Sequence, residues 1–213
     1  SKNPFQAEID APCELIDFLR YSTFYAGQVY AGQPYSDAGI LNRMEYRALE
    51  GFVFSLTPFN FTSIASNLNM APAMMGNVAV WKPSTTAIHS NYLLMKVYFI
   101  PGQGSVIGKV IVSHPDFAGF HFTGSTATFN TIWRQIGEHL GAYKSYPRIV
   151  GETGGKNFIF AHPSAPANEV AAAIVRGAFE YQGQKCSAGS RAYIPVSLWK
   201  EVKERVGDML KEI

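Results

Sequence analysis

Gly51-Phe52-Val53-Phe54-Ser55-Leu56-Thr57 is an apolar run without polar alternation, the pattern of a strand buried on both faces. A helix pattern follows over Ser63–Met75, then a second apolar strand, Asn77-Val78-Ala79-Val80-Trp81. Ser84 caps a further helix expected to run to about Tyr98. Phe117–Phe122 reads as a strand and Ser125–Leu140 as a helix. Pro147–Val150 and Asn157–Phe160 read as strands, Ala167–Tyr181 as a helix, Ala192–Val196 as a strand and Leu198–Ile213 as a closing helix. Strand and helix alternate, so the predicted fold class is α/β: a Rossmann-like parallel sheet with helices on both faces. Upstream, Asp10 reads as the N-cap of a helix, with Pro12 and Glu14 in its first turn and a stripe of Leu15, Ile16, Phe18, Leu19 and Phe24. From Tyr35 to about Phe54 the chain reads as a β-hairpin arm turning at Asp37-Ala38-Gly39.

With 213 residues the chain has room for one domain or one and a half. It is 47% hydrophobic and 16% charged, too apolar for a disordered chain. A net charge of +2 without a clustered basic face argues against a nucleic-acid partner. No apolar run reaches the roughly 18 residues of a membrane-spanning helix. The Ser1-Lys2-Asn3-Pro4 start, without Met, reads as processed or truncated. Cys13 and Cys186 cannot form a disulfide framework and point to a reducing compartment, and five scattered histidines leave no metal site. One junction does not suit the fold: the helix after Ser84 runs into Phe99-Ile100-Pro101 without a turn, so a segment is expected to be missing between Tyr98 and Phe99.

Three glycine-rich stretches invite a nucleotide. Gly102-Gln103-Gly104 with Gly108 has the wrong spacing for a dinucleotide fingerprint and reads as a turn into a helix. Gly151-Glu152-Thr153-Gly154-Gly155-Lys156 fails as a P-loop because Asn157 stands where Ser or Thr is required. Phe122-Thr123-Gly124-Ser125 ends a buried strand and opens a helix, where amides hold phosphate or Ser125 is a plain cap.

Other residues at the strand ends carry chemistry. Cys186 lies in a polar loop beside Lys185, which favours a thiolate nucleophile, whereas Cys13 reads as incidental. Glu152, at a strand end before two glycines, is a partly desolvated base of raised pKa, or a carboxylate bound by glycine amides. Asn60 is an oxyanion donor or the N-cap of the following helix. Lys82 reaches a ribose hydroxyl or is a solvated strand end.

In this order, the motifs resemble the aldehyde dehydrogenase superfamily. Thr57-Pro58-Phe59-Asn60-Phe61 resembles its Pro-aromatic-Asn motif, Lys82-Pro83-Ser84 its ribose lysine, and Phe122–Ser125 its pyrophosphate turn. Glu152–Asn157 resembles its general-base motif and Gly183-Gln184-Lys185-Cys186 its nucleophile motif. Ala7–Asp10, Glu14–Phe18, Leu49–Phe52, Ser55–Phe61 and Phe179–Ser187 are most similar to the Δ1-pyrroline-5-carboxylate (glutamate γ-semialdehyde) dehydrogenases of proline catabolism. The resemblance implies catalytic roles for Cys186, Glu152 and Asn60, and a substrate pocket lined by Glu14, Lys185 and Ser187. It implies NAD contacts from Thr57, Lys82, Ser84, Gly124, Ser125, Thr126, Ala127 and Thr128. Thr85, where many relatives carry an acid, leaves NADP unexcluded.

It further implies a helical segment 1–34, an oligomerisation arm 35–54, a dinucleotide-binding domain 51–150 and a truncated catalytic domain from 151 to 213. A homo-oligomer paired through the arm is expected, in the mitochondrial matrix, or in the cytoplasm if the source is bacterial. Groups that complete the family's site are not in this sequence. The chain thus reads either as part of a thioester-forming dehydrogenase or as an incompetent chain that binds dinucleotide weakly or serves assembly.

Overall fold

The apolar run forms β1 (Phe52–Leu56) in a parallel sheet with β2 (Val78–Lys82), β3 (Tyr98–Phe99), β4 (Phe117–Thr123) and β5 (Arg148–Glu152). The strand order is β3-β2-β1-β4-β5, and the chain reverses its direction of travel between β1 and β4. The computed structural model describes residues 2–94 and 98–212. They divide into two compact units: Pro4–Thr153, which contains this sheet, and residues 2–3 with 154–212.

Helices cover both faces of the sheet. On one, α5 (Gly104–Val112) and α6 (Thr126–Glu138) bring Ile111, Val112, Ile132 and Ile136 onto Phe54, Phe120 and Phe122. Phe120 stacks on Phe54 and on Phe129 of α6, with ring centroids 5.9 and 6.2 Å apart. The opposite face takes α3 (Thr62–Met74), whose Pro72 has no N–H for the Leu68 carbonyl one turn back. Two sheet residues occupy that carbonyl: Ser55 Oγ donates to it at 3.0 Å, and His121 Nδ1 lies 3.0 Å from it. A local defect in the helix thus becomes a tie between helix and sheet.

The second unit has a two-stranded parallel sheet, β6 (Asn157–Phe160) and β7 (Gly189–Tyr193). Its core is Ala161, Ala167, Val170 and Val202, supplied largely by α7 (Ala167–Phe179) and α8 (Val196–Met209).

Five local expectations are corrected. Asp10 is not an N-cap. It is buried inside a π-helical turn, Ile9–Cys13, that joins α1 (Pro4–Glu8) to α2 (Glu14–Ala31). The expected stripe of α2 does not form a buried face, because apolar residues surround the helix and α3 meets it along one side; Leu15 is buried, Ile16, Leu19 and Phe24 exposed.

The arm turns back as expected, with Gly39 at φ +79° and Ile40 N–H bonded to Asp37 O, but residues 32–51 contain no strand. Its limbs are joined through side chains: Gln33 bonds both N–H and C=O of Met44, and Asn42 Nδ2 donates to Tyr35 O. Residues 52–54 belong to β1.

Ser84 precedes a 3-10 turn (Thr85–Ala87) and a short α4 (Ile88–Leu93), and its hydroxyl meets Thr86 Oγ1 rather than a backbone amide. Tyr98 and Phe99 form β3, not helix, so the position of the expected break falls inside a strand; residues 95–97 of that expected helix end lie outside the described residues. Finally, α7 stops at Phe179, and Tyr181 leaves the helix at φ +51°.

Candidate active site

In the larger unit the sheet's carboxyl edge gathers the candidate groups. Parallel pairing puts Leu56 opposite both Lys82 and Phe122, so the turns after β1, β2 and β4 emerge side by side. Such an edge, where strand order reverses, is where open α/β sheets receive ligands. Thr57 is buried as a strut: its Oγ1 accepts from Trp81 Nε1 at 2.8 Å, and its N–H donates to Lys82 O. Asn60 lies one residue before Phe61, which occupies the N-cap position of α3. The capping role considered for Asn60 therefore does not apply.

Lys82 is buried and not a solvated strand end. Burial holds its pKa below the ordinary lysine value of 10.5. No hydrogen-bond or ion-pair partner of its ammonium occurs among the described residues. Its end lies at the start of α5, where a Cβ on Gly104 would stand 3.9 Å from both Cε and Nζ. Ser84 is half-buried two residues on.

After β4, Ser125 caps α6, its Oγ accepting the Thr128 N–H at 3.2 Å. Gly124 is close-packed: a Cβ would come within 2.7 Å of the Phe122 ring. Ser125, Thr126, Ala127 and Thr128 are exposed, as the first turn of a helix with outward amides must be. Glu152 pairs in register with Thr123, and its carbonyl accepts the Gly124 N–H at 3.1 Å. Its side chain is exposed, which removes the desolvation expected for it. Glu14 opens α2, half-buried, with Oε2 2.6 Å from Ser63 Oγ on α3.

The smaller unit carries Lys185, Cys186 and Ser187. Three consecutive residues before them are left-handed: Tyr181, Gln182 and Gly183, with φ of +51°, +54° and +69°. Two of these carry side chains, a conformation that costs about 1 kcal/mol or more each. The loop is braced: Lys185 Nζ lies 2.8 Å from Glu180 Oε2, and Asn157 Nδ2 donates to Cys186 O. The Lys185 ammonium is thereby engaged by Glu180, so its expected role beside the thiol is corrected: a carboxylate neutralises it. Gly155 permits the approach of this loop, since a Cβ there would lie 3.1 Å from Cys186 O. Cys186 and Ser187 are exposed, as is Cys13. Among the described residues no group of three or more His, Cys, Asp or Glu side chains could hold a metal ion. Asn157, Glu180 and Ser63 were missed from sequence; Asn157 alone had a signal, its place directly after Gly154-Gly155-Lys156.

Residues 2–213 match the model of the aldehyde dehydrogenase family. The mitochondrial delta-1-pyrroline-5-carboxylate dehydrogenase of Emericella nidulans is 50% identical over all of this chain and 40% of its own length. That alignment runs over 226 positions against 213 residues here, so the relative has residues that this chain lacks. The crystal structure of the Mycobacterium tuberculosis Delta-pyrroline-5-carboxylate dehydrogenase is 49% identical, with a TM-score of 0.95 over 100% of this chain and 42% of its own. A second structure of that enzyme, bound with NAD, is 50% identical with a TM-score of 0.92, over 97% of this chain and 41% of its own. The chain spans about two fifths of the length of the curated relatives it matches. The sheet, the order of the motifs at its edge and the match across the sequence place this chain in the aldehyde dehydrogenase family.

Proposed function

We propose that this chain is the dinucleotide-binding and nucleophile-bearing part of a dehydrogenase that oxidises glutamate γ-semialdehyde, formed from Δ1-pyrroline-5-carboxylate, to glutamate in proline catabolism, with NAD as oxidant. The observation that carries the reading is the buried Lys82 side chain, whose ammonium lies at the start of α5 and meets no partner among the described residues, on the sheet edge that also carries the capped turn into α6. A cation with no protein partner and a helix start with outward amides on one sheet edge suit a ligand with ribose hydroxyls and a pyrophosphate. Lys82 and Ser84 would hold the ribose, Thr57 would shape the pocket floor, and the turn from Gly124 to Thr128 would hold the pyrophosphate. Relatives named as delta-1-pyrroline-5-carboxylate dehydrogenases, one of them bound with NAD, support the substrate and the cofactor.

In this mechanism the Cys186 sulfur attacks the aldehyde carbon, and the Asn60 amide with the Cys186 N–H takes the charge that develops on oxygen. NAD, when bound, supplies the hydride acceptor. Cys186 then carries a thioester, and Glu152 takes a proton from the water that hydrolyses it. Glu14 and Ser187 line the substrate pocket, with Lys185 held by Glu180. Exposed Tyr35 and Leu41, 81% and 85% accessible, support the arm, cut back to residues 35–51, as the surface through which copies of the protein pair. A eukaryotic source would make the protein mitochondrial, as the names of several relatives say of those proteins, with the matrix as the expected compartment, and a bacterial source would make it cytoplasmic.

The test is NAD reduction with glutamate γ-semialdehyde, by the 213-residue chain alone and by the full-length protein. Turnover by the full-length protein is expected; its absence refutes the assignment. Binding of NAD without turnover by the shorter chain assigns that chain the dinucleotide-binding role only.

A further inference from the structure

The mechanism leaves one buried hydroxyl unused. Ser63 is fully shut from solvent, and its Oγ lies 2.6 Å from Glu14 Oε2 and 2.9 Å from the carbonyl oxygen of Asp10. A hydroxyl has one hydrogen, and both neighbours are acceptors. The shorter contact, to the carboxyl group, is the one that takes it.

The two partners come from different parts of the chain. Glu14 is the first residue of α2, placed by the π-helical turn before it. Ser63 is in the first turn of α3, directly after Asn60-Phe61-Thr62. The bond ties the first turn of α3, just past the Asn60 loop, to the start of α2. The half-buried Glu14 side chain has several rotamers open to it, and the Ser63 bond selects one.

We propose that Ser63 is a positioning residue: it pins the Glu14 carboxylate to the start of α3, where that carboxylate selects aldehydes carrying an ammonium group. This rests on the reading of the protein as a glutamate γ-semialdehyde dehydrogenase. A fixed carboxylate pairs with an ammonium at little entropic cost, whereas a wandering one must first be ordered. An aldehyde without an ammonium group gains nothing from either arrangement.

The experiment uses the full-length protein and two substrates of equal length, glutamate γ-semialdehyde and 5-oxopentanoate, which lacks the amino group. Ser63→Ala is expected to raise KM for the amino aldehyde about tenfold, with kcat within about twofold, the scale of one hydrogen bond to a charged group. Kinetics with 5-oxopentanoate should stay within about twofold of wild type. In a Glu14→Gln background, adding Ser63→Ala should change KM by less than about twofold, since the charge that Ser63 positions is gone. Ser63→Cys, of similar volume and weaker as a donor, should raise the same KM to a smaller extent and serves if the alanine variant folds poorly. Equal effects on both substrates, or an undiminished Ser63→Ala effect without the Glu14 charge, overturn the proposal. A wild-type protein that turns over 5-oxopentanoate but not the amino aldehyde overturns the substrate assignment and this proposal together, before any substitution is made.

Discussion

Lys82→Met should stabilise the 213-residue chain and at the same time weaken its hold on NAD. The lysine is 7% accessible, its pKa is lowered by burial, and no acceptor among the described residues meets its ammonium. Leaving a charged donor unpaired and partly desolvated costs toward the lower end of about 1–3 kcal/mol, since some contact with water remains. Methionine keeps the chain length and apolar stem and removes the charge. For a chain of this size each kcal/mol moves Tm by about 2–4 °C, so the cofactor-free variant should melt roughly 3–6 °C higher for a gain of about 1.5 kcal/mol.

Saturating ligand acts in the opposite sense: at about 100 times Kd, NAD adds about 2.7 kcal/mol to wild type. The variant, without the cation, should show less than half of that shift. The pH dependence follows from the direction of the pKa. Between the lowered folded value and the ordinary 10.5, the unfolded chain binds more protons, so wild-type stability rises with pH relative to the variant, and the gap closes above 10.5. Thermal melts with and without NAD, from pH 7 to 10.5, read all three effects. A variant that melts below wild type without NAD, or that keeps the full NAD shift, refutes the reasoning.

Four further outcomes are expected. Gly151→Ala drives a Cβ into the Phe129 ring and should cost about 1–3 kcal/mol in chemical denaturation, as overpacking does. In the full-length protein, Cys186→Ala should abolish NAD reduction without altering the melt, because the side chain is exposed; Glu152→Gln should give one turnover and accumulate an acyl adduct on Cys186, visible by mass spectrometry. Burial holds the His121 pKa below 6.5, so the unfolded chain binds the extra proton first as pH falls. Stability should therefore drop with acidification from 6.5 toward the folded value, and His121→Asn should flatten that part of the melt-versus-pH curve.

Most of the sheet was legible because its signals are local. β1, β2 and β4 are largely apolar runs, and each is followed by a turn residue and a helix stripe, so parallel pairing follows from connectivity. Asn60, Lys82, Gly124 and Glu152 could be found for the same reason: each stands at the carboxyl end of a strand or within a few residues of it. The arm misled because its turn is local but its pairing is not; Gln33 and Asn42 bond across it in place of a backbone ladder. Residues 9–13 also misled: Asp10 and Pro12 have the chemistry of a helix start, but the chain is already helical from Pro4 and absorbs Pro12 in a π turn.

The electrostatic state of the candidate site was hidden for a related reason. Lys185 reads as a neighbour of Cys186, and across the left-handed turn at 181–183 it meets Glu180 instead. Glu152 reads as desolvated, and its side chain is exposed. Period and turn chemistry act over a few residues, so the order of strands, helices and motifs is written in the chain itself. Whether a charge is buried, which carboxylate it meets, and which hydroxyl answers the Leu68 carbonyl or the Glu14 carboxylate depend on residues far apart in sequence. Ser63 to Glu14 spans 49 positions, and His121 to Leu68 spans 53. Those partners become neighbours when the helices pack on the sheet, and packing assigns each its surroundings.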